Sequence, residues 1–290
     1  MALNIVAAQN LASSTKIVPI WEDITPRWLL KLMPWTEVAA GVFRLNQVTR
    51  PTQVTSDHAA GSKLPDTFAD YEAHPREITL TTLQTAINMH SRIPELFNSP
   101  HDQLREQIRL AIEAIKEEKE RLFLNAPSFG LLSIAAQKMR VHGGGEALSP
   151  NHLDSLLSLV WNRPAFFVAH PRAIACFHHE CNERGLNVET VEMFGVPFST
   201  WRGVPIVPSD KVPITGKKPM SSVLLMRVGE QNQGVIGLHQ QGVGNQHLPS
   251  MSVRLMGIDQ NSVARYLVTA YFSVALLANN ALAVLHDVAV

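Results

Sequence analysis

Apolar and polar positions change period several times along this chain, and the longest stretch without any period runs from Gln47 to Pro75. Two strand-like runs flank it. Val42-Phe43-Arg44-Leu45 leads in and Ile78-Thr79-Leu80 leads out. Between them lie Arg50-Pro51, Ser56-Asp57-His58, Gly61-Ser62-Lys63, Pro65-Asp66 and His74-Pro75, with Val48, Val54, Leu64, Phe68 and Tyr71 as the main apolar residues. So few apolar side chains cannot offset the entropy of ordering the segment. Loops beyond about 12–15 residues are uncommon inside compact domains. The segment is therefore either an unordered insertion or an arm that orders against something outside its own subunit.

Helical signals are fewer. Thr25-Pro26 predicts a short helix over 27–33, with Thr as N-cap and Pro in the first turn, ended by Pro34-Trp35. Thr81 to His90 reads as another short helix. Ser99-Pro100-His101-Asp102 opens the strongest one. Leu104, Ile108, Ala111, Ile112, Ile115 and Leu122 keep helical spacing there, and Asn125-Ala126-Pro127 breaks it. Glu117, Glu118 and Glu120 read as a solvated face of that helix. Phe129 to Met139 is irregular or partly helical. Further helices are predicted from Ser149 to Trp161 and from Pro171 to Arg184, the second closed by Gly185.

Strands are predicted at 165–168, 187–194, 223–228, 235–239 and 253–256, with a Gly/Gln loop from Gln240 to Pro249. Aromatic and β-branched residues alternate at period two from Tyr266 to Leu276, which favours a long strand over a helix. Helices and strands are segregated rather than regularly alternating, so the expected fold class is α+β.

Composition sharpens the picture. Hydrophobic residues make up 46% and charged residues 17%. The charged share is below the usual ~25%, which points to surface buried against partners. Lys plus Arg and Asp plus Glu are both 25, a net charge of zero. That argues against nucleic-acid binding and permits copies to approach one another. Two cysteines fit a reducing cytosol. The first eleven residues do not look like a signal peptide. The apolar run from Tyr266 to Leu285 is interrupted by Thr269, Ser273, Asn279 and Asn280, so no membrane span is expected.

No catalytic, cofactor or metal site assembles. Cys176-Phe-His178-His179-Glu180-Cys181 holds metal-ligand types. Its cysteines, five apart on a helix, would point about 140° apart, so the reading is a core Cys176 beside partly exposed histidines. His142-Gly-Gly-Gly145 is similar to an oxyanion-hole glycine run, but no Gly-x-Ser-x-Gly accompanies it. A hydrolase using His142 and Ser149 is a minor alternative. Trp21, Trp28 and Trp35 recur every seven residues, yet Pro26 and Pro34 break helical stacking. They read as separate packing anchors, of the kind enriched at interfaces.

Three runs carry a resemblance. Phe194-Gly-Val-Pro-Phe-Ser-Thr-Trp-Arg-Gly-Val-Pro-Ile-Val-Pro-Ser-Asp-Lys-Val-Pro213 resembles the A-domain segment of encapsulin shell proteins and tailed-phage major capsid proteins. Arg265 to Leu285 resembles the encapsulin ending, an alternating strand, an Asn-containing turn and an aliphatic finish. Ile24-Thr-Pro-Arg-Trp-Leu-Leu-Lys-Leu-Met-Pro-Trp35 is similar to the second encapsulin family. With no room for a cyclic-nucleotide-binding domain and no phosphate-binding cassette, the chain resembles the subtype without that insertion.

The resemblance implies the Hong Kong 97 phage capsid fold. Its parts would be an N-arm at 1–41, an extended E-loop hairpin at 42–80, a P-domain with spine helix at 81–147, an A-domain at 148–259 and a C-terminal strand and tail at 260–290. It implies a structural protein without enzyme activity or cofactor, binding neither nucleic acid nor membrane. Copies would form an icosahedral T=1 shell in the cytoplasm around a cargo, a cysteine desulfurase linked to sulfur storage. Trp21, Trp28, Trp35, Arg50, Phe68 and Tyr71 would serve assembly through the N-arm and E-loop. Gln240, Gln241, Asn245, Gln246 and His247, or Ser199 and Arg202, would rim a pore. A phage or prophage capsid protein of the same fold is the alternative.

Overall fold

Runs rich in β-branched and aromatic residues pair into two sheets and a ribbon. The computed structural model describes residues 24–46, 75–90, 103–242, 244–261 and 263–290. Among them, one sheet has six strands. Its path is β1 (Trp35–Val38), β11 (Val235–Gln240), β14 (Val263–Leu276), β13 (Met251–Ile258) and β12 (Gln246–Leu248), with β4 (Thr81–His90) also paired to β14. A seven-stranded sheet runs β5 (Arg140–His142), β15 (Leu282–Ala289), β10 (Met220–Met226), β6 (Phe166–Ala169), β9 (Val204–Pro208), β8 (Val196–Trp201) and β7 (Thr190–Met193). The ribbon is β2 (Val42–Leu45) against β3 (Arg76–Thr79); β2 coincides with the first flanking run, while β3 starts two residues before the second run and ends at Thr79.

The period-two run does form the longest strand, β14. Residues 81–90, expected as a helix, are instead its partner. They pair with β14 continuously from Thr81↔Phe272 to His90↔Val263. Leu83 and Ile87 are four apart and fit a helix face, but they also fit one strand face, and both pack beneath the long helix. Pairing with β14 decides the outcome. The Gly/Gln loop likewise contains a short strand, β12, paired with β13.

The long helix α2 (Gln103–Asn125) crosses the six-stranded sheet. Ile112 and Ile115 pack with Met251, Val268 and Ala270. At its end Phe123 and Leu124 enter the main core with Val168, Leu224 and Phe272. After a short turn, α3 (Leu131–Ile134), come α4 (Pro150–Leu159) and α5 (Pro171–Glu183) on the seven-stranded sheet. There Leu153, Leu156 and Phe177 meet Phe167, Leu225 and Leu285. Cys181, not Cys176, is the core cysteine; Cys176 is only half-buried. The sheets cut across the segment 148–259: as far as Met226 its strands belong to the seven-stranded sheet, and from Val235 to the six-stranded one.

The helix α1 (Trp28–Leu32) is shorter than expected and is not capped by Thr25. Arg27 occupies the cap position in the left-handed region, φ 51° and ψ 51°. Thr25 has given its polar groups to another element.

Candidate functional site: the seat of the first helix and the projecting turns

Three acidic residues of α2, Glu113, Glu117 and Glu120, follow i, i+4, i+7 spacing and so share one face. That face is covered rather than solvated, which corrects the reading of Glu117 and Glu120. Thr25 donates its N–H and its hydroxyl to Glu117 at 2.8 and 2.9 Å. Arg27 spans both neighbours, donating to Glu117 at 2.7 Å and to Glu113. Lys211, just after β9, lies 3.0 Å from Glu117 and 2.7 Å from Asp210. Asn125 fixes the same loop by donating to the Lys211 carbonyl at 2.8 Å.

Burial pushes the Glu113 and Glu117 carboxyls up, but their partners outweigh it. Lys116 and Arg27 hold Glu113, and Lys211 and Thr25 hold Glu117, below the ordinary carboxylate range. Both remain ionised at neutral pH. Glu120 is different. It is 1% exposed and receives one bond, from the Ser209 hydroxyl at 3.0 Å.

Apolar contacts complete the seat. Leu29 and Met33 are buried in the main core. Trp28 stacks on Phe194 at 5.8 Å and meets Phe198 edge-on at 5.2 Å. Phe194 and Gly195 form the two-residue turn between β7 and β8, both at positive φ, the conformation such hairpin turns require. Trp35 lies against Phe123 and stacks on His239. Its ring also covers Gly237, where a Cβ would come within 2.6 Å. Trp28 and Trp35 thus anchor within their own subunit. Trp21, Arg50, Phe68 and Tyr71 lie outside the described residues.

The two sets of pore residues belong to different sheets and are not brought together. Gln240 ends β11 half-buried; Gln241 and Asn245 are exposed in the turn toward β12, and Gln246 and His247 are exposed within β12 itself. Ser199, in β8, sits 2.8 Å from His178 Nε2. Arg202, at the β8–β9 turn, donates to Asp154 at 3.1 and 3.0 Å, and Trp201 donates to the same carboxylate at 2.7 Å. Asp154 was not legible as a partner, because 48 residues separate it from Arg202.

The chemistry weighed for a hydrolase does not converge. His142 pairs with Asp287 at 3.0 Å, while Ser149 precedes α4 with its hydroxyl 3.2 Å from His152 Nδ1. Around Cys176 to Cys181, His179 pairs with Glu183 at 3.2 Å and Arg184 with Glu180 at 2.9 Å. Among the described residues no three His, Cys, Asp or Glu side chains are grouped to hold a metal, and no helix is long and apolar enough to cross a membrane. The geometry is that of a subunit in which Thr25 and Arg27 clamp the start of α1 across a long helix.

Comparison with known proteins follows the same outline. Residues 44–290 match the family described as type 2A encapsulin shell protein SrpI-like. SrpI of Synechococcus elongatus, a type 2A encapsulin shell protein, is 48% identical over 290 residues, covering 99% of this chain and 94% of that protein. The cryo-electron-microscopy structure of the holo-SrpI encapsulin complex from the same organism matches with a TM-score of 0.86 at 46% identity, covering 100% of this chain and 97% of that one. The capsid of the native GTA particle matches with a TM-score of 0.67 at 13% identity, over 99% of this chain and 100% of that one, a likeness of fold alone.

Proposed function

Because the chain belongs to the SrpI-like type 2A encapsulin shell family, we propose that its copies close into an icosahedral T=1 shell, a cytoplasmic nanocompartment, around a cargo enzyme. The protein is a shell protein and not an enzyme, and its α+β fold is that of encapsulins and phage capsids. The observation that carries the proposal is the match to the holo encapsulin complex along the whole chain at 46% identity. The phage capsids that match do so at 10–12% identity, a likeness of fold alone. A closed shell needs heterologous contacts repeated around rotation axes. Residues 1–23 and 47–74, outside the described residues, are proposed to make them, with Trp21, Arg50, Phe68 and Tyr71 as contacts.

The cargo proposed is a cysteine desulfurase serving sulfur storage. The description of the relative's complex as a holo form supports a filled interior. Size-exclusion chromatography and electron microscopy of the purified full chain test closure; a persistent monomer at high concentration overturns it. Co-expression with the desulfurase of the same genome tests cargo. Co-elution with the particle and protection from protease are expected, and a freely digestible enzyme eluting apart overturns the assignment.

For the pore, Asn245→Trp and Arg202→Trp are compared in loaded shells. The variant that slows turnover of the enclosed enzyme identifies the rim, and unchanged turnover in both removes both loops from consideration.

A further inference from the structure

The seat of α1 holds one carboxyl that its ion pairs leave out. Glu120 Oε1 accepts from Ser209, while Glu120 Oε2 is buried with no hydrogen-bond partner. The side chain lines a cleft of about 160 Å³. Pro26 and Trp28 wall it on one side, Pro171 at the start of α5 on another, and Pro208 to Asp210 on the third. Three distant parts of the chain therefore meet over one unsatisfied oxygen.

A neutral carboxyl tolerates such walls far better than a carboxylate, which needs water or a cation at each free lone pair. The surrounding charges offer little help. Glu117 and Asp210 repel a carboxylate at this position. Arg27 is engaged by Glu113 and Glu117. Lys211 is engaged by Glu117 and Asp210, and Lys116 by Glu113. From α5, burial and Arg172 hold His170, the cap residue, toward its neutral form. For Lys211 to neutralise Glu120 it would have to leave Glu117, which holds Thr25 and Arg27.

We infer that Glu120 is a proton-operated latch: the protonated carboxyl keeps the Thr25–Trp28 segment closed over the cleft, and its ionisation admits water and loosens the segment. Burial, opposed by the Ser209 bond and aided by Glu117 and Asp210, pushes this carboxyl up to about 7. In the opened seat it returns toward the ordinary 4.5. The raised value sets the sign. The latch is fully effective below the ordinary value, weakens as pH rises from there to about 7, and changes no further above. Glu113 and Glu117, held low, act in the opposite sense, and their contribution is lost as pH falls below the ordinary carboxylate range. The seat is therefore tightest in mildly acidic solution.

The inference rests on the seat as an assembly element, and its readout is the seat itself, so it stands or falls separately from shell closure. The test is backbone hydrogen exchange in α1, where the Lys31 and Met33 amides donate to Arg27 and Leu29. It is run on the full-length protein, whether or not it closes into particles, at about pH 5 and about pH 7.5 and corrected for intrinsic exchange. Protection in the wild type is expected to fall by about tenfold or more between the two. Glu120→Gln, neutral at both and still an acceptor for Ser209, is expected to keep its protection. Should that variant fail to fold, Ser209→Ala serves instead. It removes the bond that lowers the Glu120 value, so the fall moves to higher pH. Equal wild-type protection at both pH values, a Gln variant that tracks the wild type, or an Ala variant whose transition stays in place overturns the latch.

Discussion

Thr25 gives both its backbone N–H and its hydroxyl to Glu117, 92 residues further along the chain. A Thr at a helix start ordinarily spends its hydroxyl on its own first turn. Here the distant carboxylate takes it, α1 begins at Trp28, and Arg27 adopts a left-handed conformation beside it. Local helix geometry has yielded to a long-range clamp.

Removing that acceptor should loosen the clamp at every donor. Glu117→Ala leaves Thr25, Arg27 and Lys211 without their shared carboxylate, at an expected cost of about 2–4 kcal/mol. Thermal unfolding should report a midpoint lower by several degrees. Glu117→Gln should lose less, since its amide oxygen still accepts. Its acid unfolding should also be shallower: the wild-type contribution is present above the ordinary carboxylate range and is lost as pH falls through and below it, because the folded value is depressed. Equal midpoints in all three proteins would refute the clamp.

Gly237→Ala should displace the Trp35 ring. The added Cβ would stand 2.6 Å from Trp35 Cε3 and 2.8 Å from Cζ3, closer than side chains approach, and overpacking of this kind costs about 1–3 kcal/mol. Trp35→Phe in the same chain should recover part of the loss by making room. A double-mutant cycle measured by denaturation checks this, and strict additivity would mean the two residues do not conflict.

Lys119 is a cation placed between rings. Its Nζ lies 3.8 Å from the Trp35 ring centroid, and burial lowers its value to about 8 from 10.5. The folded value is depressed, so between those two values the unfolded chain holds a proton that the folded chain has released. Stability should therefore rise with pH across that window. Lys119→Met keeps the packing of the stem and removes the charge. The variant is expected to match or exceed the wild-type midpoint at neutral pH and to lose the alkaline rise. A midpoint several degrees lower would show that the cation–π contact, worth up to about 2 kcal/mol when desolvated, outweighs the burial cost.

Deleting residues 48–75 tests assembly without dismantling the ribbon. Leu45 and Arg76 are register partners, so Asn46 and Gln47 would remain as a two-residue turn, the shortest common hairpin connection. The expected product is a folded subunit, with near-native thermal unfolding, that forms no closed particles under negative stain. Intact shells from this variant would remove the excursion from the assembly scheme.

What could be read in advance follows from where each signal resides. The alternation from Tyr266 to Leu276 is local and survives as β14, and the α2 stripe of Ile108, Ile112 and Ile115 survives because helix spacing and burial agree. Residues 81–90 are ambiguous by themselves, since Leu83 and Ile87 suit either period and only β14 selects one. The stripe of Glu113, Glu117 and Glu120 is visible as one face, yet its partners stand at 25–27 and 209–211, beyond any local pattern. Charge alone therefore reads as solvated surface. The glycine at 237 is visible, but its reason, an indole from residue 35, is not.

The parallel pairing of β1 with β11, Trp35 opposite Gly237, also has a bearing on synthesis. The ribosome releases residues 35–38 early and their sheet neighbours only after some two hundred further residues. Residues 35–38 are thus made long before the strand that berths them. Nascent chains on one messenger are kept unready to join until β11 has emerged, an ordering in time written into strand topology.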